Sequence, residues 1–188
     1  VAMGCVNMTD LGTIDMQGGQ ILEYGPGYYS GGITMNNGTL TLTTGIYVLA
    51  GAGLQITGSA NFFAGIGDGG VMLYIVSPGC ITIQGTGEVM IEEPDAEVAT
   101  WDCIDDFEFV TIFQARDNTC EALITGTGLF DLEGSLYFPT AHVRISGDGA
   151  NLGNQFIAWT VEIFGDGEVT IDYDGRFPAP GQKSYLVF

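Results

Sequence analysis

Apolar residues in this chain alternate with polar ones in short runs, and a glycine turn separates one run from the next. Ile81 and Ile83 lead into Gly85-Thr86-Gly87, which leads into Val89 and Ile91. The same order recurs as LITGTGLFDL at 123–132, VRISGDGANL at 143–152 and VEIFGDGEVTI at 161–171. Looser copies are ITMNNGTLTL at 33–42 and LQITGSANFF at 54–63. Period-2 alternation puts the apolar set on one face of a strand and Thr, Ser and Gln on the other. Glycine falls where the chain must turn sharply. Outside Glu92–Asn118, no stretch of a dozen residues both lacks glycine and holds a helical period.

The spacing of these units sets the architecture. Gly147 to Gly165 is 18 residues, Gly67 to Gly85 is 18, and Gly126 to Gly147 is 21. Gly85 to Gly126 is 41, which reads as about two such units around an acidic segment. A period of this size suits one turn of a β-solenoid and is too short for most helical repeats. The pattern predicts an all-β, right-handed parallel β-helix, a single domain over 1–188. A loop excursion over 92–108 carries Glu92, Glu93, Asp95, Glu97, Asp102, Asp105, Asp106 and Glu108.

Composition narrows the class of partner. Hydrophobic residues are 46% and charged residues 14%, which opposes disorder. Four basic residues against 23 acidic ones give a net charge of −19. That balance cannot build the basic stripe that nucleic acid requires, and it disfavours anionic membrane surfaces. Cations, Ca²⁺ among them, are the natural counterions, although acidity by itself also keeps an extracellular protein soluble. The longest apolar run, around Val71–Val76, is the length of a strand, so no membrane-spanning segment is expected.

Chemistry-bearing residues are few. Cys5, Cys80, Cys103 and Cys120 form no C-x-x-C motif, which argues against zinc. In an oxidising compartment they give two disulfides, with Cys103–Cys120 the preferred pairing and Cys5–Cys80 following by elimination; buried thiols are the alternative. G-D-G triplets centre on Asp68, Asp148 and Asp166. Asp148 and Asp166 lie one period apart, so they are candidates to share a Ca²⁺ between adjacent coils, as are Asp102, Asp105 and Asp106 on the acidic loop. Thr86 and Thr127 occupy the same slot in G-T-G, which favours a turn role over a ligand role. His142 is the only histidine and has no nucleophile at a recognisable spacing. Arg116 beside Asp117 is the one basic residue placed to serve a polysaccharide lyase, and a structural pair is the expected role. No catalytic set is expected. Tyr24, Tyr28, Tyr29, Trp101 and Trp159 are candidates for stacking on an extracellular glycan.

Several segments also carry a resemblance. YGPGYYSGGITMNNGTLTLTTGIYVLAGAGLQITGSA, VTIFQARDN and LEGSLYFPTAHVRISGDG resemble, in order, motifs of the β-helical region of TadG-like, Tad-pilus-assembly-related bacterial proteins. The resemblance spans about Tyr24 to Phe188. It implies a β-helix displayed outside the cell, in proteins that usually carry an N-terminal membrane anchor. The start VAMGCVNMTD has no basic leader, so the resemblance implies a processed or truncated chain. It supplies no catalytic residues. The expectation is therefore a secreted, non-catalytic structural protein of the cell surface. Its apolar ends, VAMGCV and SYLVF, would join copies head to tail into a filament. A carbohydrate-binding module is the alternative, and a pectate-lyase-like enzyme a distant third.

Overall fold

A computed structural model describes residues 9–98, 107–147, 150–166, 168–171 and 173. The described residues wind into a parallel β-helix with three strands per coil. The first coil is β1 (Thr13–Met16), β2 (Ile21–Tyr24) and β3 (Gly27–Tyr29). The second is β4 (Gly32–Met35), β5 (Thr39–Leu42) and β6 (Gly45–Leu49), and the third β7 (Gly53–Ile56), β8 (Asn61–Ala64) and β9 (Val71–Ile75). The fourth is β10 (Cys80–Gly85), β11 (Val89–Ile91) and β12 (Val110–Gln114). The fifth is β13 (Ala122–Gly126), β14 (Phe130–Leu132) and the first half of β15 (Ser135–Gly147). The second half of β15, β16 (Ala150–Leu152) and the first half of β17 (Gln155–Ile163) make the sixth; the rest of β17 and β18 (Val169–Thr170) begin a seventh.

Each strand pairs in parallel with its counterpart one coil away. The first face runs β1-β4-β7-β10-β13-β15, the second β2-β5-β8-β11-β14-β16-β18, and the third β3-β6-β9-β12-β15. Because β15 turns a corner between Phe138 and His142, the first and third faces are hydrogen-bonded into one continuous sheet. All six copies of the strand-turn-strand unit seen in the sequence form strands of the first and second faces.

The register corrects the spacing in two places. Gly126 pairs with Gly147 and Gly85 with Gly126, so the 41-residue interval is one long coil rather than two. Ile56 pairs with Ile83, which brings Gly58 under Gly85, whereas Gly67 lies in the turn between β8 and β9 and stacks on no G-x-G glycine. The extra length of the fourth coil is the acidic excursion, which leaves after β11 and returns at β12.

The core is a set of aliphatic files running the length of the solenoid. On the first face one file is Ile14, Ile33, Leu54, Ile81, Ala122 and Val143, each no more than 2% exposed. Beside it run Met16, Met35, Ile56, Ile83, Ile124 and Ile145. On the third face Tyr29 and Tyr47 stack with ring centroids 6.0 Å apart, and the Tyr47 hydroxyl donates to the Thr43 carbonyl at 2.7 Å.

The third face is apolar on its outer side as well. Ile46, Val48, Met72 and Tyr74 alternate with the core residues Tyr47, Leu49, Leu73 and Ile75 and so point away from them, yet all are buried. Phe107, from the end of the excursion, packs on this second cluster. The excursion is pinned at its neck, where the Phe109 N–H donates to the Pro94 carbonyl at 3.0 Å and the Asp95 N–H to the Gly69 carbonyl at 3.3 Å. A segment read as an acidic loop thus also brings an aromatic side chain onto an apolar sheet face.

Candidate functional site

The G-x-G turns resolve first. At Gly85, φ is +146° and an added Cβ would stand 2.2 Å from the Gly58 carbonyl oxygen. At Gly126, φ is +148° and the same atom would stand 2.4 Å from the Gly85 oxygen. The glycines are required because one turn rests on the backbone of the next. The middle residue Thr86 is exposed, its hydroxyl 3.5 Å from the Gly58 carbonyl it donates to, so the slot takes Thr or Asp. Asp68 and Asp166 are exposed, while Asp148 lies outside the described residues, as do Asp102, Asp105 and Asp106. Among the described residues, no group of three or more His, Cys, Asp or Glu side chains is placed to hold a metal ion. Glu92, Glu93, Asp95 and Glu133 do line a cleft of about 210 Å³ at the excursion's neck, where the Gly67 N–H donates to Glu92 Oε2 at 2.6 Å.

The disulfide expectation is corrected. Cys80 is bonded to Cys120, with Cα atoms 5.4 Å apart, not to Cys5. Cys5 and Cys103 lie outside the described residues. The physical reason for the pairing is register. Ile81 pairs with Ala122, so Cys80, one residue before the first, and Cys120, two before the second, share a corner on adjacent coils despite being 40 apart in sequence. Proximity along the chain, which favoured Cys103–Cys120, carries no such information. Beside the bridge, the buried Asn118 amide donates to the Gly79 carbonyl at 2.7 Å, and Asn118 Oδ1 accepts from the Cys120 N–H at 3.1 Å. The Gln114 amide donates to the carbonyls of Asn118 and Cys120 at 3.0 and 2.9 Å.

His142 and Arg144 sit on the outer side of the first face. His142 Nδ1 is 2.7 Å from the Thr160 hydroxyl and its Nε2 is 3.7 Å from Glu162. Arg144 Nε donates to Glu162 at 2.8 Å, its other nitrogen approaches Glu121 at 3.9 Å, and the guanidinium lies 4.7 Å from the Phe164 ring centroid. The Arg144 hydrogen bond and charge, with a smaller contribution from His142, hold the Glu162 carboxyl below its ordinary range. A depressed carboxyl contributes stability above its unfolded pKa and loses it as pH falls through the lower folded value. The pair is surface-exposed, so that contribution is small. Arg116 is exposed in the turn after β12 and, among the described residues, makes no ion pair with a carboxylate.

Of the candidate glycan-stacking aromatics, Tyr29 is fully buried and Tyr24 packs edge-on against it at 6.4 Å. Tyr28 is half-buried, Trp159 is 74% exposed, and Trp101 lies outside the described residues. Tyr74, Phe113 and Tyr137 form an outer aromatic file on the third face, with ring centroids 5.4 and 4.7 Å apart.

The most distinctive surface is the last coil. Val161 and Ile163 continue the two inner files of the first face, opposite Val143 and Ile145. They are 45% and 60% exposed, whereas Val143 and Ile145 are 0% and 1%. Trp159, Phe164, Ile171 and Tyr173 are exposed around them. At the other end Ile14 and Met16 are buried, but Leu22 and Tyr24 on the second face are only half-covered, and Leu11 and Ile21 are exposed. Most of the exposed large apolar side chains among the described residues therefore lie at the two ends of the solenoid. The apolar ends expected in VAMGCV and SYLVF lie outside the described residues; among the described residues, exposed apolar side chains fall in the last repeat unit, VEIFGDGEVTI. No helix among the described residues is long and apolar enough to cross a membrane. Compared with family models, curated proteins and solved structures, the chain matches none. The fold defines the class: a parallel β-helix with a disulfide between its fourth and fifth coils.

Proposed function

We propose that this protein is a secreted, non-catalytic structural element of a bacterial surface that associates head to tail through the ends of its solenoid. The observation that carries the reading is the exposed last coil. Val161 and Ile163 occupy core positions with no further coil beneath them among the described residues. Among the described residues, β17 and β18 also present an unpaired parallel edge, which is a template for strand addition. A second copy supplies the complement, because a parallel solenoid has two different ends and its edges β1 and β2 face the other way along the same axis. Such a contact is heterologous and propagates into a filament. Burying a Val or Ile side chain fully contributes about 1.5–3 kcal/mol, and the half-exposed pair here stands to gain a share of that.

The disulfide supports an oxidising, extracellular setting, since such bonds persist there and are rare in reducing compartments. The resemblance to TadG-like surface proteins points the same way. The test is sedimentation velocity across a concentration series of the wild type and Ile163→Glu. The reading expects mass to rise with concentration in the wild type and a loss of association in the variant at unchanged thermal stability. A wild type that stays monomeric at all concentrations contradicts it. The outer file Tyr74, Phe113 and Tyr137 favours glycan binding as a second reading. Tyr74 is largely covered, however, so this reading expects a fluorescence response to polysaccharide that Tyr137→Ala abolishes.

A further inference from the structure

The corner between the third and first faces is held by hydrogen bonds that do not depend on the disulfide. Two turns stack there on adjacent coils. The Gly79 N–H donates to the Val76 carbonyl at 2.8 Å, and one coil on the Asn118 N–H donates to the Ala115 carbonyl at 2.9 Å. The Asn118 amide ties its own turn to the Gly79 carbonyl of the coil before, and its Oδ1 holds the Cys120 N–H. Gln114 acts from inside. It pairs with the core residue Ile75 of the coil before, shares the inward side of β12 with Ile112, and is 0% exposed. An amide therefore stands in a row of core aliphatics. A buried amide is costly unless its donors are used, and both N–H groups of Gln114 are, on the carbonyls of Asn118 and Cys120. The Cys80 end is fixed as well: Gln55 donates to its carbonyl at 3.2 Å, and Ile81 next to it pairs with Leu54 and Ala122 on either side. The sulfurs themselves lie towards the outside, since Cys80 alternates with the core residue Ile81 and both cysteines are half-buried.

We infer that Cys80–Cys120 is a surface redox site that opens and closes on the folded solenoid, its two thiols held in bonding position by Gln114 and Asn118 as positioning residues. The site sits on the side of the solenoid and is independent of how copies associate. Closure runs by exchange with a small disulfide of the glutathione type. One cysteine thiolate attacks it, giving a mixed disulfide and one glutathione thiolate. The other cysteine thiolate then attacks the protein sulfur of the mixed disulfide and expels the second glutathione thiolate. Two protein thiols are oxidised, one small disulfide is reduced to two thiols, and the two protons pass to the released thiolates. Opening is the reverse, driven by the small thiol. The second step is intramolecular, so it follows how well the corner holds the two sulfurs together before the bond exists. The ladder of β10 with β13 and the amide bracket both remain when the bond is open. The bond is thus a reversible clamp across the longest coil, with 40 residues between its cysteines.

The experiment equilibrates the full chain with graded mixtures of reduced and oxidised glutathione under native conditions and alkylates the free thiols. Mapping the Cys80 and Cys120 peptides then separates this pair from Cys5 and Cys103. The ratio of linked to free pair gives the effective concentration of one thiol towards the other. Reduced wild type is expected to keep its β-sheet circular dichroism and a cooperative thermal transition, and to re-form the Cys80–Cys120 link. Gln114→Met keeps the volume and removes the amide. It is expected to lower the effective concentration at least about tenfold, against about twofold or less for Thr140→Val. Thr140 is the control because its hydroxyl donates to the same Asn118 carbonyl at 3.0 Å, so its loss weakens the corner without releasing either cysteine. Asn118→Ala takes the place of Gln114→Met should that variant not fold, and is read the same way. Unfolding of the wild type on reduction, or a preferred link from Cys80 or Cys120 to another cysteine, overturns the site. Equal effects of Gln114→Met and Thr140→Val, or none from Gln114→Met, overturn it too.

Discussion

Gly85 and Gly126 show why these stacked turns need glycine. Each turn backs onto the turn before it at backbone distance, so a methyl group has nowhere to go. Gly85→Ala is expected to destabilise by about 1–3 kcal/mol in urea unfolding, while Thr86→Ala, one residue on, stays within about 0.5 kcal/mol. A large loss at Thr86 would show that the middle residue holds something after all. Asn118 is the other residue whose role is local and decisive. Its amide ties the Gly79 carbonyl of one coil to the Cys120 N–H of the next. Asn118→Ala leaves the buried Gly79 carbonyl and the part-buried Cys120 N–H without that partner, and a loss of about 1–3 kcal/mol is the expected outcome by the same measurement.

At the scale of elements, the Cys80–Cys120 bridge and the excursion act on the same long coil. The bridge closes a loop of 40 residues that contains the whole excursion. Chain-entropy arguments give it about 4 kcal/mol at most, so Cys80→Ser with Cys120→Ser should lower the unfolding free energy by about 2–4 kcal/mol. Non-reducing peptide mapping should recover the Cys80 and Cys120 peptides linked. The outer side of the third face makes a second prediction. Met72 points away from the core but is fully buried in the covered cluster with Tyr74 and Phe107. Met72→Lys is expected to cost about 2–4 kcal/mol, where a lysine at the outward Thr82 is tolerated.

The strands around the G-x-G turns were legible because alternation and turn chemistry are both local. The first-face ladders followed from the 21- and 18-residue repeats at 126–165. The length of the fourth coil was not legible, since a 41-residue interval divides as readily into two coils as into one with an insertion. The disulfide failed for the same reason: without the register of β10 against β13, nothing in the sequence says that positions 80 and 120 share a corner. Strands such as GIYVL and VMLYI carried the remaining clue, being apolar at every position and therefore covered on both sides.

At the scale of the whole molecule, the solenoid is asymmetric. Its first coil keeps Ile14 and Met16 buried, and its last coil leaves Val161 and Ile163 open to solvent. That difference in burial gives the axis a direction, and in the proposed head-to-tail association the open last coil of one copy would seat on the first coil of the next. The strong acidity opposes it at long range and is screened by salt, so association should strengthen from about 0.01 M to 0.15 M ionic strength in dynamic light scattering. The most direct measurement of the central claim is a disulfide-trapping experiment between two single variants. Thr13 and Thr160 are exposed and occupy the same outward file, at the two edges of the first face. Mixed under mild oxidation, Thr13→Cys and Thr160→Cys should cross-link to each other and only weakly to themselves, because head-to-tail stacking sets these positions on adjacent rungs. Cross-linking of either variant chiefly to itself, or none between the two, would contradict a solenoid that grows by its ends.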